Sequence, residues 1–582
     1  MGCTVLTNGW GRGVLLLASI CVWAGAAATG VSMDPAEGYS RGVVAADHPA
    51  ASEAGASILR RGGNVVDAAV ATSFALSVVR PASCGIGGGG FMMIWRAAER
   101  EAVALDYRER APAGAVSELY LPERSGDLPE PASVRGGLAC GIPGTVAGLC
   151  FAAERYGSFP LRELLAPAIA LCEQGVVIDA HDIEVQGQVL EKLRRIPGYE
   201  QRFSGLLKLY LNNGRPWRPG DRFYSPQGAV LKEIAERGSQ GFYSGAVAES
   251  IVRTVRGEGG VLDVADLAGY EPTIRRPLTG SFHGREILTM PPPSSGGIAL
   301  LQSLQSLEEW ERQSGRTLNQ LGHNSVPYVH TVTEVLKHAF ADRAEFLGDA
   351  DYVRVPVDRL LSRRYASHLA AQVQQDAVLE PARYGRFFLN DDGGTSHFSV
   401  LDSAGNAVAC TETINLAFGS FVVVPEYGVL LNNEMDDFAA DPGKPNAFGL
   451  LQSANNSIEP GKRPLSSMTP TIVVRDGRAV LAAGASGGPR IITATLQNVL
   501  NQLVFGMSPA EAVSAPRFHH QWSPNELLLE GALDAEVSSG LSRKGHELRR
   551  SGGLAASQSA AVSGAGLMGG SDPRKHGKPA GH

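Results

Sequence analysis

Three stretches of the chain hold residues whose type and spacing could do chemistry. The first, Gly85, Gly87 and Gly90, spells G-x-G-x-x-G. A dinucleotide site needs a strand before such a loop and a helix after it. Here a helical stretch ending at Pro81 comes first and the apolar run 91–95 follows. The loop is therefore read as a place of close backbone packing. The second stretch, Gly484-Ala485-Ser486-Gly487-Gly488, fits G-x-S-x-G between an apolar strand and Pro489, which opens a helix. That is the setting of a nucleophile elbow. Asp534 and His546 follow in the right order for an acid and a base. Against a serine hydrolase, the strand–helix alternation such enzymes need is missing upstream. The turn is better suited to presenting the bare N–H groups of Gly487 and Gly488 at a helix start, where they can hold an oxyanion.

The third stretch is Gly394-Thr395-Ser396-His397, where a polar segment gives way abruptly to a strand. A threonine hydroxyl is a weak nucleophile unless a base stands beside it. An N-terminal threonine carries its own base, an α-amine whose pKa is about 7.7–8.0, so part of it is neutral near pH 7–8. This chemistry requires a cut between Gly394 and Thr395.

The elements that must position these residues can be read from periodicity and punctuation. Residues 49–61 and 65–79 read as helices, the first stopped by Gly62 and Gly63, the second capped by Asn64 and apolar on most sides. Residues 143–174 read as helical with a break near Gly157, and 327–347 carry helical spacing. The segment 311–326 is polar and reads as a surface loop. Strands are expected at 396–402, 407–413, 470–475 and 478–484, then a helix at 490–504. The tail from 563 is Gly-rich and polar, and its end is expected to fray. Helices first, then strands, then a helix point to layered α+β packing.

The 582 residues carry a net charge of −7, which gives no reason to expect a nucleic-acid partner. Arg12, the apolar run 14–23 and small residues up to Ala28 read as a cleavable export signal, cut after Ala26 or Ala28. The run is short for a membrane span, which needs roughly 20 residues. Cys84, Cys140, Cys150, Cys172 and Cys410 show no metal-binding spacing and read as buried free thiols.

The sequence closely resembles the γ-glutamyltranspeptidases (glutathione hydrolases) of the N-terminal-nucleophile superfamily, from about Gly42 to Arg574. The blocks 80–91 (RPASCGIGGGGF), 106–112 (DYRERAP), 432–438 (NNEMDDF), 462–468 (KRPLSSM) and 515–522 (APRFHHQW) carry the likeness. The resemblance implies a four-layer αββα sandwich formed by two chains of one self-cleaved precursor. A signal peptide at 1–28 would precede a large chain, 29–394, and a small chain, 395–582, the two remaining together as a heterodimer. Ser396 stands where the family usually has a second threonine.

By motif position, the resemblance makes Thr395 the nucleophile and Thr413 its brace. Arg108 would hold the α-carboxylate of a glutamyl group, with Ser466 and Ser467 adding hydroxyl bonds. Asp437, Glu434 and Asn415 would hold the α-ammonium, and Gly487 and Gly488 would form the oxyanion hole. The stretch 442–450 resembles a lid loop with Phe448 at its tip. The residue types fit these roles, because one cation and two anions facing a zwitterion select a free amino-acid end over a simple amide. The implied activity is cleavage of the γ-glutamyl amide of glutathione and transfer to water or an amino acid, with no cofactor or metal, in the periplasm or outside the cell. Competing readings are action on β-lactam side chains or γ-linked glutamate polymers, a Ser486 hydrolase, and a processed protein that only binds amino acids.

Overall fold

The computed structural model describes residues 38–121, 129–384, 395–442, 450, 452–564 and 566–582. The expected signal segment 1–28, Gly394 and Phe448 lie outside them. The strands of the two large sheets are, in chain order, β1 (Gly42–Ala46), β2 (Gly89–Arg96), β3 (Glu101–Tyr107), β4 (Thr273–Arg275), β5 (Leu278–Phe282), β6 (Arg285–Thr289), β7 (Ser396–Asp402), β8 (Ala407–Thr413), β9 (Thr471–Arg475), β10 (Arg478–Ser486), β11 (Ala556–Ser563), β12 (Gly566–Ser571) and β13 (Ala580–Gly581). One sheet has seven strands in the order β13-β1-β7-β8-β2-β3-β4, and the other six in the order β12-β11-β10-β9-β6-β5.

The two-residue period of a strand explains how the sheets stack. Phe91, Met93 and Trp95 of β2 point inward, with Ala407 and Ala409 of β8, onto Ile472 and Val474 of β9 and Ala482 of β10 in the facing sheet. The alternate residues, Met92, Ile94, Val408 and Cys410, point outward into a helical layer. That layer includes α1 (Pro49–Arg60), α2 (Val65–Val79), α3 (Thr145–Tyr156) and α4 (Leu161–Gln174). On the far side Val473, Leu481 and Ala483 meet α5 (Gly296–Ser314), α6 (Val326–Phe346) and α7 (Arg490–Leu503). The result is the four-layer αββα arrangement. The central strands β1, β2, β7 and β8 are buried on both faces along nearly all of their length, which is why their runs are so apolar. α2 is buried at all of its residues and starts on a capping box between Asn64 and Asp67.

Two expectations from the sequence fail. The segment 311–326 is not a loop throughout: α5 runs to Ser314, Gly315 turns left-handed at φ 69°, and Leu318–Leu321 forms a further helical turn capped by Thr317. Trp310, Leu318 and Leu321 enter the core there, so three anchors outweigh a polar composition. Nor does the tail fray. β12 completes one sheet and β13 pairs with β1 on the other, Val43 opposite Gly581. Asp572 holds the connection through a 2.6 Å ion pair with buried Arg517. The five cysteines are free; four are buried and Cys150 is half-buried.

Candidate active site

β7 and β8 pair antiparallel, with Ser396 opposite Glu412. That register brings Thr395, just before β7, beside Thr413 at the end of β8, and the two hydroxyl oxygens stand 3.3 Å apart. Thr413 Oγ1 also accepts the N–H of Asn415 at 2.8 Å. Asn415 is left-handed at φ 73°, a conformation asparagine tolerates. Its amide donates to the carbonyl of Asn433 at 2.9 Å. The glycine loop between α2 and β2 serves this junction by close approach: a Cβ on Gly88 would run into the Thr413 carbonyl, and one on Gly87 into that of Leu430.

Arg108 follows β3 and is buried. Its Nη1 lies 2.7 Å from Glu434 Oε2, its Nη2 bonds Asp437 Oδ2, and its Nε donates to the Pro464 carbonyl at 3.3 Å. Burial opposes the guanidinium charge, but Glu434, Asp437 and Glu109 together hold its pKa above the ordinary value. The same burial pushes the carboxyl of Glu434 well above its usual range, with Arg108 pulling it back. Burial also raises Glu109 to about 8. One cation thus organises two buried carboxyl groups and the half-buried Asp437.

Arg108, Thr395, Thr413, Asn415, Asp437, Ser466, Ser467 and Gly488 line one inner pocket. Glu434 stands behind Arg108, off the pocket wall. Ser466 Oγ accepts the N–H of Met468 at 3.1 Å. Among the described residues, Ser467 Oγ and Asn415 Oδ1 are buried without a hydrogen-bond partner. Such groups are costly unless a ligand satisfies them. β10 delivers Gly487 and Gly488 at φ 131° and 57°, and α7 begins at Arg490. Gly487 opens onto a broad outer groove that also reaches Thr395, so the threonine sits where groove and pocket meet.

Arg343 is a wall residue that the sequence reading missed. It lies on α6, where Val332, Val335, Leu336, Ala339 and Phe340 mark the buried face, and helical spacing from these was the signal that could have revealed it. Its Nε donates to Ser295 Oγ at 3.0 Å, which in turn donates to the Ser466 carbonyl at 2.6 Å. Among the described residues its Nη1 has no partner. Burial lowers its pKa to about 10, so it stays charged at neutral pH. Arg343→Met is expected to lower kcat/KM by roughly 10–100-fold, mainly through KM, because a buried charge-assisted bond to the serine loop is worth about 1.5–3 kcal/mol. Steady-state kinetics on a γ-glutamyl anilide check this.

The serine elbow is not assembled as a triad. Ser486 Oγ donates to the Ala556 carbonyl at 3.3 Å, Asp534 caps the helix Ala535–Arg543, and His546 bonds His330 at 2.8 Å. Among the described residues, His330, Glu334 and His546 form the one group whose ligand atoms, within 4.8 Å of one another, could hold a metal. Lys337 already holds Glu334 at 2.8 Å, and none of the three lines the pocket.

Two helix-covered sheets, with a buried threonine at the head of a central strand and a glycine turn opening a helix beside it, define the class of N-terminal-nucleophile hydrolases. Within that class, the family model described as gamma-glutamyltranspeptidase matches residues 51–582, and the chain belongs to that family. It is 40% identical over 541 residues to the glutathione hydrolase proenzyme of Escherichia coli K12, covering 92% of this chain and 90% of that one. Among solved structures, a cephalosporin acylase from Bacillus halodurans superposes with a TM-score of 0.82 at 26% identity, covering 95% of this chain and 97% of that one. The Helicobacter pylori gamma-glutamyltranspeptidase aligns at 0.53 and 38% identity, over 58% of this chain and 93% of that one.

Proposed function

We propose that this protein is an exported, self-cleaving γ-glutamyl hydrolase and transferase that acts on glutathione and related γ-glutamyl amides. The precursor breaks between Gly394 and Thr395, giving a large chain to 394 and a small chain from 395. The observation that carries the reading is the meeting of the Thr395–Thr413 hydroxyl pair, 3.3 Å apart, with a pocket walled by Arg108 and Asp437. A glutamyl zwitterion inserts between these charges, its carboxylate on Arg108, Ser466 and Ser467 and its ammonium on Asp437 and Asn415, with Glu434 tuning the pair from behind. That pose directs the γ-carbonyl toward Thr395.

The freed α-amine of Thr395 takes the proton from Oγ1 as the oxygen attacks the γ-carbonyl. The N–H groups of Gly487 and Gly488 stabilise the oxyanion. The same amine then gives its proton to the departing nitrogen, leaving a γ-glutamyl ester. Water, or the amine of an amino acid, enters from the outer groove and resolves it.

The likeness to a cephalosporin acylase keeps an acylase reading in view, and the paired Arg108 and Asp437 favour an α-amino acid over a simple diacid side chain. Export rests on the N-terminal segment; among the described residues no helix is long and apolar enough to cross a membrane. A denaturing gel with N-terminal sequencing of the smaller band tests the cut, and two substrates test the specificity. γ-Glutamyl-p-nitroanilide should exceed glutaryl-p-nitroanilide, which lacks the ammonium, by ~10²–10³-fold, because the latter leaves Asp437 unpaired in a buried site. An intact chain with full turnover, or equal use of both anilides, would overturn the proposal.

A further inference from the structure

The C-terminal tail places a cation on the nucleophile. Lys575 Nζ donates to the backbone carbonyl of Thr395 at 2.6 Å and to Asp47 Oδ2, just beyond β1, at 3.0 Å. The lysine is held firmly. Its own carbonyl accepts from Arg80 Nη2 at 2.8 Å, and Arg80 is pinned by Asp179 and Asp182, each at 2.6 Å. Upstream, Asp572 is anchored by Arg517, and Arg574 bonds both Asp572 and Glu530. The Lys575 side chain is only 12% exposed, so its charge is poorly screened.

We infer that Lys575 is the positioning residue that sets the pH at which Thr395 becomes a live nucleophile; this rests on the reading of Thr395 as an N-terminal residue. The carbonyl that Lys575 holds and the α-amine that must act as base are attached to the same Cα. A cation bonded to that carbonyl penalises the ammonium form of the amine, while the hydrogen bond fixes the backbone torsion that aims Oγ1 at the pocket. Asp47 offsets part of the charge, and the Lys575–Asp47 pair therefore tunes the amine from both sides. The other charged or titratable groups around Thr395 are Arg108, Arg343 and Asp437 in the pocket, Glu412 opposite Ser396, and, along the groove, Arg490, Arg574, His181, Asp436 and Asp441 with the more distant Glu130, Arg135, Glu184 and Lys192. Neighbouring carboxylates hold Arg108 and Arg574 above the ordinary value, Arg343, near 10, stays charged through the acid limb, and burial lowers His181 to about 3, so it stays neutral. Burial raises Glu109 to about 8 and Glu412 to about 7, and none of the substitutions removes either group, so a difference between pH profiles isolates the lysine.

The test uses the processed enzyme and records kcat/KM for γ-glutamyl-p-nitroanilide from pH 5 to 10. In Lys575→Met the acid limb should move up by about one pH unit, since removing a like charge raises the amine's proton affinity. In Asp47→Asn, which leaves the lysine uncompensated, the limb should move down. Lys575→Arg, which keeps the charge, should hold it near the wild-type position. A merely structural lesion lowers the plateau without moving the limb in opposite directions. Limbs that coincide in all four proteins, or that move the same way in Lys575→Met and Asp47→Asn, overturn the inference. Gels on each variant keep this separate from the reading beneath it: an uncut yet active chain would sink the role of Thr395 itself, whatever the profiles do.

Discussion

Thr395→Ala is expected to yield one uncut chain whose turnover of γ-glutamyl-p-nitroanilide has fallen by at least ~10⁴-fold, the scale of loss when a covalent nucleophile is removed. Two functions should fail together because, in the proposed mechanism, one hydroxyl performs both: attack on the preceding peptide bond and attack on the substrate. The fold should survive. Thr395 is small and buried, and the change removes only its hydroxyl and methyl, so the melting temperature should shift by a few degrees at most. Thr395→Ser keeps an oxygen in place and should still process itself, with a loss of roughly tenfold from the freer rotamer. The contrasting control is Ser486→Ala. Its hydroxyl bonds a backbone carbonyl of β11 at 3.3 Å, so the variant should stay processed and keep turnover within a few-fold. A dead Ser486→Ala beside an active Thr395→Ala would reverse the assignment.

The second large effect concerns recognition. Arg108→Ala is expected to lower kcat/KM for γ-glutamyl-p-nitroanilide by ~10³-fold, because breaking a buried charge pair typically costs about 3–5 kcal/mol. The specificity of the loss matters more than its size. 4-Aminobutyryl-p-nitroanilide lacks the α-carboxylate, so the wild type should use it ~10³-fold less well than the γ-glutamyl compound, whereas Arg108→Ala should barely distinguish the two. Unequal losses on the two substrates place the guanidinium on the carboxylate; equal losses would mean that the variant merely damages the pocket. Arg108→Lys should recover only part, since an ammonium cannot reproduce a fork that reaches Glu434 and Asp437 at once. Stability should report the same network. Burial already raises Glu434 and Glu109, and losing Arg108 raises them further. Carboxyls whose folded pKa lies above the unfolded value contribute stability at low pH that is lost as pH rises. The melting-temperature deficit of Arg108→Ala should therefore widen between pH 6 and pH 9.

Recognition and chemistry meet in the arrangement of the two sheets. β7 and β8 of one sheet carry Thr395 and Thr413, and β10 of the other delivers Gly487 and Gly488. The face-to-face stacking through Phe91, Met93, Ile472 and Ala482 holds the threonine pair and the glycine turn in fixed relation. The pocket cation Arg108 comes from the end of β3 and its counter-ions from the Glu434–Asp437 turn. The site draws on both sides of the 394–395 bond, so the two chains of a processed molecule must remain together to act.

Much of this was legible in the linear chain. The boundaries of α2, β7 and β8 match their expected ranges, because a run of apolar residues bounded by a cap, a proline or a polar turn encodes its own limits. The glycine pair before α7 announced a sharp turn there, since only glycine tolerates φ near 131°. The family blocks brought Arg108, Asp437 and the paired serines into view together. Tertiary structure decided the rest. Arg343 reaches the pocket only because α6 packs beside α5 and so meets Ser295 at its start, and Lys575 reaches Thr395 across 180 residues because β12 and β13 fold the tail back onto the sheets. Periodicity and capping act between neighbours along the chain, so a sequence displays them directly. The pairing of a lone charge with a partner hundreds of residues away depends on which surfaces the core brings together, and no local pattern records it.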